Sequence, residues 1–421
     1  MKHRFTRNAR TEWKLILPLA CVLGAAAQER EGPAPVGGAK SAYQLEMEKQ
    51  WKLHPTLPIG SAAPDFNLPA IDGKKHTLAD YKTSRVLAVM FICNHCPASQ
   101  LYESRMKKMV DDYRGKGVQF LAIQPNAVSA ISPRELNYTD VDDSLGSMLI
   151  HAKFRNFNFP YLYDGDTQQI AHLYGPKNTP HIFFFDQERK LRYEGRIDDS
   201  MRETAVKTQD ARAAIDALLA NRPVEFSQRP VFGCSIKWKS QTEAKQRELK
   251  QWEEQPVKLE VATADVLKKL RANPTGKTLM INFWAAWCGP CVEEFDDLLK
   301  TYLWYRSRDF ELVTVSTDSP EAKATVLKFL QQHHSGVRNL QFESEDVYAL
   351  QAAFDKSWDS GVPFTIVIGP DGKVIHQQTG EVNMLELRAP FSRICRTWVT
   401  SETRHIGLDA SEGKWYSNAK P

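Results

Sequence analysis

The sequence predicts an α/β protein of two domains built on one plan, each a sheet flanked by helices. Three observations carry that expectation. At 421 residues the chain is too long for one compact core. Two short apolar runs of strand character, 86–92 and 278–284, each lead into a Cys-x-x-Cys and then into a segment with helical spacing. Each half then places an X-Pro pair directly before another apolar run: Thr179-Pro180 before His181–Phe185, and Val362-Pro363 before Phe364–Ile368. The order strand, Cys-x-x-Cys, helix, strand, X-Pro, hairpin, helix therefore occurs twice. The first copy is longer between its cysteines and its proline. Its extra length is assigned to 126–145, a polar segment with few apolar anchors, where an insertion would shape access to a site.

Composition is that of a soluble globular protein, 42% hydrophobic and 25% charged. The net charge of +4 is supplied entirely by Lys2, Arg4, Arg7, Arg10 and Lys14 against Glu12. Without residues 1–27 the chain is neutral, so nothing points to a nucleic-acid partner.

Residues 1–10 are basic, 15–24 are apolar but short for a membrane span, and Ala25-Ala26-Ala27 supplies small residues for cleavage before Gln28. This is the three-part pattern of a secretory signal peptide over 1–27. Two alternatives stand beside it: a retained single-span anchor, and a lipid anchor on Cys21, where Pro18 occupies a place that motif gives to an aliphatic residue. Export predicts a periplasmic or secreted location, an oxidising compartment in which a cysteine pair needs a dedicated redox partner, expected to be membrane-bound. Residues 28–56 begin as a Gly/Pro tether and continue as a polar helical stretch. The first domain is assigned to 57–238. A charged linker over 239–257, solvated and without an apolar stripe, is expected to lead to the second domain at 258–400, followed by a polar tail at 401–421.

The chemistry sits where a buried strand becomes a helix. Strand 278–284 runs into Trp287-Cys288-Gly289-Pro290-Cys291, and the helix that follows puts the first sulfur at its N-terminus and the second one turn further in. Unpaired N–H groups and the positive end of the macrodipole stabilise a thiolate there, and the thiolate is the attacking species in disulfide exchange.

Trp287-Cys288-Gly289-Pro290-Cys291 resembles the active-site motif of the thioredoxin family, and Val362-Pro363 resembles the cis-proline segment that faces its disulfide. Glu294, three residues after Cys291, and Asn282, where ordinary thioredoxins carry a buried aspartate, are similar to the TlpA/ResA-like extracytoplasmic branch. The resemblance covers roughly 261–399. It implies two thioredoxin-like domains, each a central mixed β-sheet flanked by helices. It also implies exchange with protein thiols and disulfides, without any cofactor beyond the redox-active disulfides and without a bound metal. In this reading Cys288 attacks, Cys291 resolves, Glu294 assists as a base, and Trp287, Val362 and Pro363 hold the substrate chain. As an alternative, Glu294 is a surface helix charge.

In the first half, Ala63-Pro64-Asp65-Phe66 resembles the opening of the AhpC/TSA and TlpA redoxin group. Cys93, Cys96, Thr179 and Pro180 are assigned the same roles as their counterparts. His95 beside Cys96 resembles the dipeptide of strongly oxidising disulfide donors, where an imidazolium would stabilise the Cys93 thiolate; the alternative is an exposed loop residue. Met90 stands where peroxiredoxins place a threonine before the attacking cysteine, and Ser99 stands in the place of Glu294, so the two sites are expected to differ. Phe232-Gly233-Cys234-Ser235-Ile236-Lys237-Trp238 is similar to a run in other Cys-Asn-His-Cys redoxins. Cys234 is read either as a small buried hydrophobe or as a third thiol folded back near Cys93. Cys395 is read as a core residue, with a Cys234–Cys395 bond left open. A metal shared by the two Cys-x-x-Cys pairs is disfavoured, because 192 positions separate Cys96 from Cys288. The functional expectation is thus a thiol–disulfide oxidoreductase, with a thiol peroxidase acting through Cys93 and a non-catalytic adaptor as alternatives.

Overall fold

The computed structural model describes residues 42–391. The assigned signal segment, Cys21, most of the tether, Cys395 and the tail lie outside the described residues. Among the described residues no helix is long and apolar enough to cross a membrane. The chain divides into two compact units at Lys49/Gln50, and both large sheets belong to the second.

The first of these sheets has five strands, in the order Tyr161–Tyr163, Val118–Gln124, Val86–Phe91, His181–Phe185, Leu191–Gly195. The first three are parallel and the last two antiparallel, so the sheet is mixed. The second has six strands: Leu259–Ala262, Arg338–Phe342, Phe310–Ser316, Thr278–Trp284, Phe364–Ile368 and Val374–Thr379. It repeats the plan, four parallel strands and then two antiparallel, with one more strand at the edge.

The central strands are buried along their whole length because helices cover both faces. Side chains alternate between those faces. Val86, Ala88 and Met90 pack with the helix Pro97–Tyr113, while Leu87, Val89 and Phe91 pack into a second cluster with Tyr174, Phe183 and Phe185. Thr278–Trp284 does the same, with one exception. Met280 and Trp284 face the helix Gly289–Tyr305, and Asn282 between them is a buried amide on an apolar face. Such a group is retained only where hydrogen bonds compensate its desolvation.

Both expected prolines are cis, at Thr179–Pro180 and Val362–Pro363. The charged segment 239–254 forms the helix Thr242–Glu253, none of whose residues is buried. Its half-buried Glu248 accepts from Arg134 Nε (2.8 Å) on the first-domain side and from Arg306 Nη2 (2.8 Å) on the second, which ties the exposed helix down. The polar segment 126–145 is packed. Ala130, Ile131, Leu136 and Val141 are buried, and Tyr305 OH donates to Thr139 O at 2.6 Å. Few apolar residues suffice there because hydrogen bonds anchor the rest.

Candidate active sites

In the second domain, helix Gly289–Tyr305 starts directly after Cys288. Pro290 lies in the first turn, where its missing N–H costs nothing. Cys288 is the N-cap, and its sulfur accepts from Cys291 N at 3.3 Å. The two cysteines form a disulfide, S–S 2.04 Å. Cys288 is 6% and Cys291 1% exposed, whereas neighbouring Trp287 is 72% exposed. Trp287 and Val362 line one cleft of ≈ 460 Å³, and Val362 packs against the cluster that holds both sulfurs. The fold thus gathers the substrate-binding residues assigned to this half at one mouth, with Pro363 following Val362 through the cis bond.

Glu294 lies one helical turn beyond Cys291 and is buried. Its carboxylate accepts from Asn282 Nδ2 (3.2 Å) and from Val382 N (2.9 Å). Asn282 Nδ2 also donates to Thr365 Oγ1 at 3.0 Å. Burial pushes the carboxyl up to about 7, with the two hydrogen bonds pulling the other way. Glu294 is therefore not a surface helix charge. It can accept and return a proton near neutral pH.

In the first domain the helix Pro97–Tyr113 begins three residues later relative to its cysteines. Pro97 takes the first helical position, so Cys96, and not Cys93, is the N-cap; its sulfur accepts from Ser99 N at 3.4 Å. Cys93 and Cys96 are both reduced, 2% and 0% exposed. Cys93 Sγ lies 3.2 Å from Thr179 Oγ1, and Cys96 Sγ 3.2 Å from Thr179 O, so the residue before the cis-proline touches both sulfurs.

His95 is buried, not an exposed loop residue. Its Nδ1 lies 2.7 Å from Asp143 Oδ2, and Asp143 Oδ1 accepts from the backbone N–H groups of Asn94 (2.9 Å) and His95 (3.1 Å). Asn126 Nδ2 donates to Asp143 Oδ2 at 2.8 Å. Burial opposes charge on the imidazole, but the Asp143 carboxylate overrides it and holds His95 above its ordinary value. Asp143 is depressed in turn: burial would raise it, and the His95 charge and these donors outweigh that.

The His95 charge favours the thiolate of its neighbour Cys96. Burial pushes the Cys93 thiol well up. Burial opposes the Cys96 thiolate too, but thiols from Cys234 and Cys93, the His95 charge and the Ser99 N–H together bring Cys96 well below its ordinary value. Burial and the contact with Thr179 O favour the protonated form, while the helix N-terminus and the neighbouring donors favour the anion. The helix cap thus falls on Cys96, whereas the sequence reading gives the attacking role to Cys93. Ser99, in the place of Glu294, is buried and offers no base.

Cys93, His95 and Asp143 offer ligand atoms within 4.8 Å of one another, a grouping that can hold a metal ion. Asp143 already receives four protein donors, which accounts for the cluster without one. Sequence reasoning missed Asp143 and Asn126. The available signal was an adjacent acidic pair, Asp142-Asp143, inside the segment that makes this copy longer. Cys234 lies on a short strand with Ser235, antiparallel to Asn178–Thr179 and in register with Thr179. It packs against Cys93 and Cys96, as the third-thiol reading anticipated.

Comparison with known families matches residues 59–194 to the AhpC/TSA family and residues 253–387 to the Redoxin family. The chain is a tandem member of the thioredoxin superfamily. Among curated relatives of this thioredoxin-superfamily chain, the thiol-disulfide oxidoreductase ResA of Bacillus subtilis (strain 168) is 34% identical over 105 residues, 25% of this chain and 54% of the relative. ResA of Bacillus anthracis is 28% identical over 126 residues, 28% of this chain and 64% of the relative. The chain thus spans between half and two thirds of the length of these relatives. Among solved structures, a hypothetical protein from Sinorhizobium meliloti 1021 is 37% identical, covering 44% of this chain and 97% of that one, with a TM-score of 0.39. An uncharacterized conserved protein from Geobacillus kaustophilus is 38% identical, covering 44% and 94%, with a TM-score of 0.40.

Proposed function

We propose that the protein is an extracytoplasmic thiol–disulfide oxidoreductase, exchanging disulfides with protein substrates through Cys288/Cys291 and holding a second redox pair at Cys93/Cys96. The observation that carries this reading is Glu294, a carboxyl poised at about 7 one turn from a capped cysteine pair. In the reducing direction the Cys288 thiolate attacks a substrate disulfide, forming a mixed disulfide and expelling one substrate thiolate. Glu294 takes the Cys291 proton, and the Cys291 thiolate attacks Cys288. The intramolecular disulfide closes and the second substrate sulfur leaves as a thiolate, which takes the proton from Glu294. Trp287, Val362 and Pro363 hold the extended substrate chain at the cleft mouth. The two sulfurs carry the electron pair, so no dissociable cofactor is required. The reduced state is restored by a dithiol partner, assigned to the membrane. Export rests on the basic, apolar and small-residue order of residues 1–27.

The test is reduction of insulin by the full chain supplied with dithiol. Cys288→Ser is expected to fall to the rate of dithiol alone. An undiminished rate in that variant contradicts the reading.

Peroxide reduction at the first domain is a second reading, favoured by one observation. Its two sulfurs are buried, which keeps a protein disulfide away from them. The attacking sulfur is then Cys96 and not Cys93. Peroxide consumption that survives Cys288→Ser but not Cys96→Ser supports this reading, and consumption no faster than for free cysteine removes it.

A further inference from the structure

Both sulfurs of the first-domain pair are buried. The third cysteine of the cluster, Cys234, is the one in a partly exposed position. Its placement is built into the fold. Cys234 pairs with Thr179, the residue that touches both buried sulfurs. Asn178 Nδ2 holds Gly233 O at 2.7 Å. Gly233 itself has φ +150°, and a Cβ there would lie 2.0 Å from Thr179 O, so only glycine lets this strand approach so closely. Two residues before Cys234, Phe232 is exposed, as Trp287 is next to Cys288.

From this arrangement, and resting on the exchange reading above, we infer that Cys234 is the entry thiol of the first domain, relaying disulfides between outside partners and the buried Cys93/Cys96 pair. Rotation about χ1 carries its sulfur between solvent and Cys96. The Cys96 thiolate, against which Cys234 packs, takes the Cys234 proton as general base during the attack. The Cys234 thiolate attacks the outside disulfide, one S–S bond breaks, and the first leaving thiolate takes that proton back from Cys96. The Cys96 thiolate then attacks Cys234, forming Cys96–Cys234 and expelling the second outside thiolate. Cys93 attacks Cys96, the Cys93–Cys96 bond forms, and Cys234 leaves with the Cys93 proton. The outside disulfide gains two electrons and the buried dithiol loses two.

The experiment uses the full chain carrying Cys288→Ser and Cys291→Ser, so that only the first domain exchanges. The reduced protein is mixed with oxidised glutathione, quenched with acid, and its disulfides are mapped on non-reduced peptides. Adding Cys234→Ser is expected to slow formation of Cys93–Cys96 at least tenfold, and Cys234→Ala to slow it equally. Cys93→Ser is expected to accumulate Cys96–Cys234. Equal rates with and without Cys234, or a Cys93→Ser protein that leaves Cys234 unlinked, overturn the relay while leaving the exchange reading intact. If Cys93–Cys96 forms in none of these proteins, exchange by this domain fails, and the relay with it.

Discussion

The two Cys-x-x-Cys helices start from the same sequence pattern and end with opposite polarity. In the second domain the helix starts at Gly289 and the cap is the first cysteine, Cys288. In the first, Pro97 starts the helix and the cap is the second cysteine, Cys96. The sulfur that meets the free N–H groups and the positive end of the helix is thereby exchanged between the two positions of the motif. The proton-handling groups move with it. The second domain has one carboxyl held near neutrality by burial. The first has a buried imidazolium–carboxylate pair, assembled from the cap loop and from a segment nearly fifty residues away. Where the proline falls relative to the cysteines thus sets which sulfur caps the helix.

The strongest way to break this contrast is Asp143→Asn. It leaves the His95 imidazolium buried without its counter-ion, and breaking such a pair costs about 3–5 kcal/mol. Chemical denaturation of the full chain measures the loss, and a change under 1 kcal/mol contradicts the pair's charged state. The pH dependence follows from the two shifts. His95 is raised, so its contribution is complete below the ordinary imidazole value and fades as pH climbs through its folded value. Asp143 is depressed, so its contribution is complete above the ordinary carboxyl value and fades as pH falls through its folded value. The stability difference between wild type and variant is therefore expected to be largest between roughly pH 4 and 6.5.

A smaller effect tests the other site. With its carboxyl at about 7, Glu294 becomes a base only as pH rises through that range. Resolution of the Cys288 mixed disulfide is expected to accelerate across that interval in the wild type. In Glu294→Gln it stays flat, at least roughly tenfold slower at the alkaline end. Folding favours the protonated carboxyl, so wild-type stability falls as pH climbs from the ordinary carboxyl range through about 7, and the Gln variant escapes that fall. Parallel pH profiles in the two proteins contradict the assignment.

The smallest expected effect is at Trp287. As an exposed side chain it contributes within about 0.5 kcal/mol to stability. Trp287→Ala is therefore expected to raise the KM for a protein disulfide while leaving thermal unfolding unchanged. Unaltered kinetics with protein and small-molecule disulfides alike remove it from the substrate site.

Much of the architecture was legible because local and global signals agree. The runs 86–92 and 278–284 could only be strands buried on both faces, and each X-Pro pair marks the segment beside them. Glu294 was legible through the family resemblance, which implies an acidic residue three positions after the second cysteine. The cap position in the first helix was not read, although Pro97 announces it, because the motif was aligned by its cysteines rather than by the residue that starts the helix. Asp143 was illegible for a different reason. Its partner His95 is distant in sequence, and a buried ion pair made across a long segment leaves no periodicity. The arginine partners of Glu248 were not legible, because an acidic residue on a highly charged helix looks the same in sequence whether it faces water or two arginines.

The most direct test follows the thiolate itself. Ultraviolet thiolate absorbance of the fully reduced full chain is titrated through the mildly acidic range in four single variants. Cys96→Ser and Cys288→Ser are each expected to remove one acid-range thiolate, whereas Cys93→Ser and Cys291→Ser retain it. Loss of that signal in Cys93→Ser, with Cys96→Ser unchanged, would contradict the account.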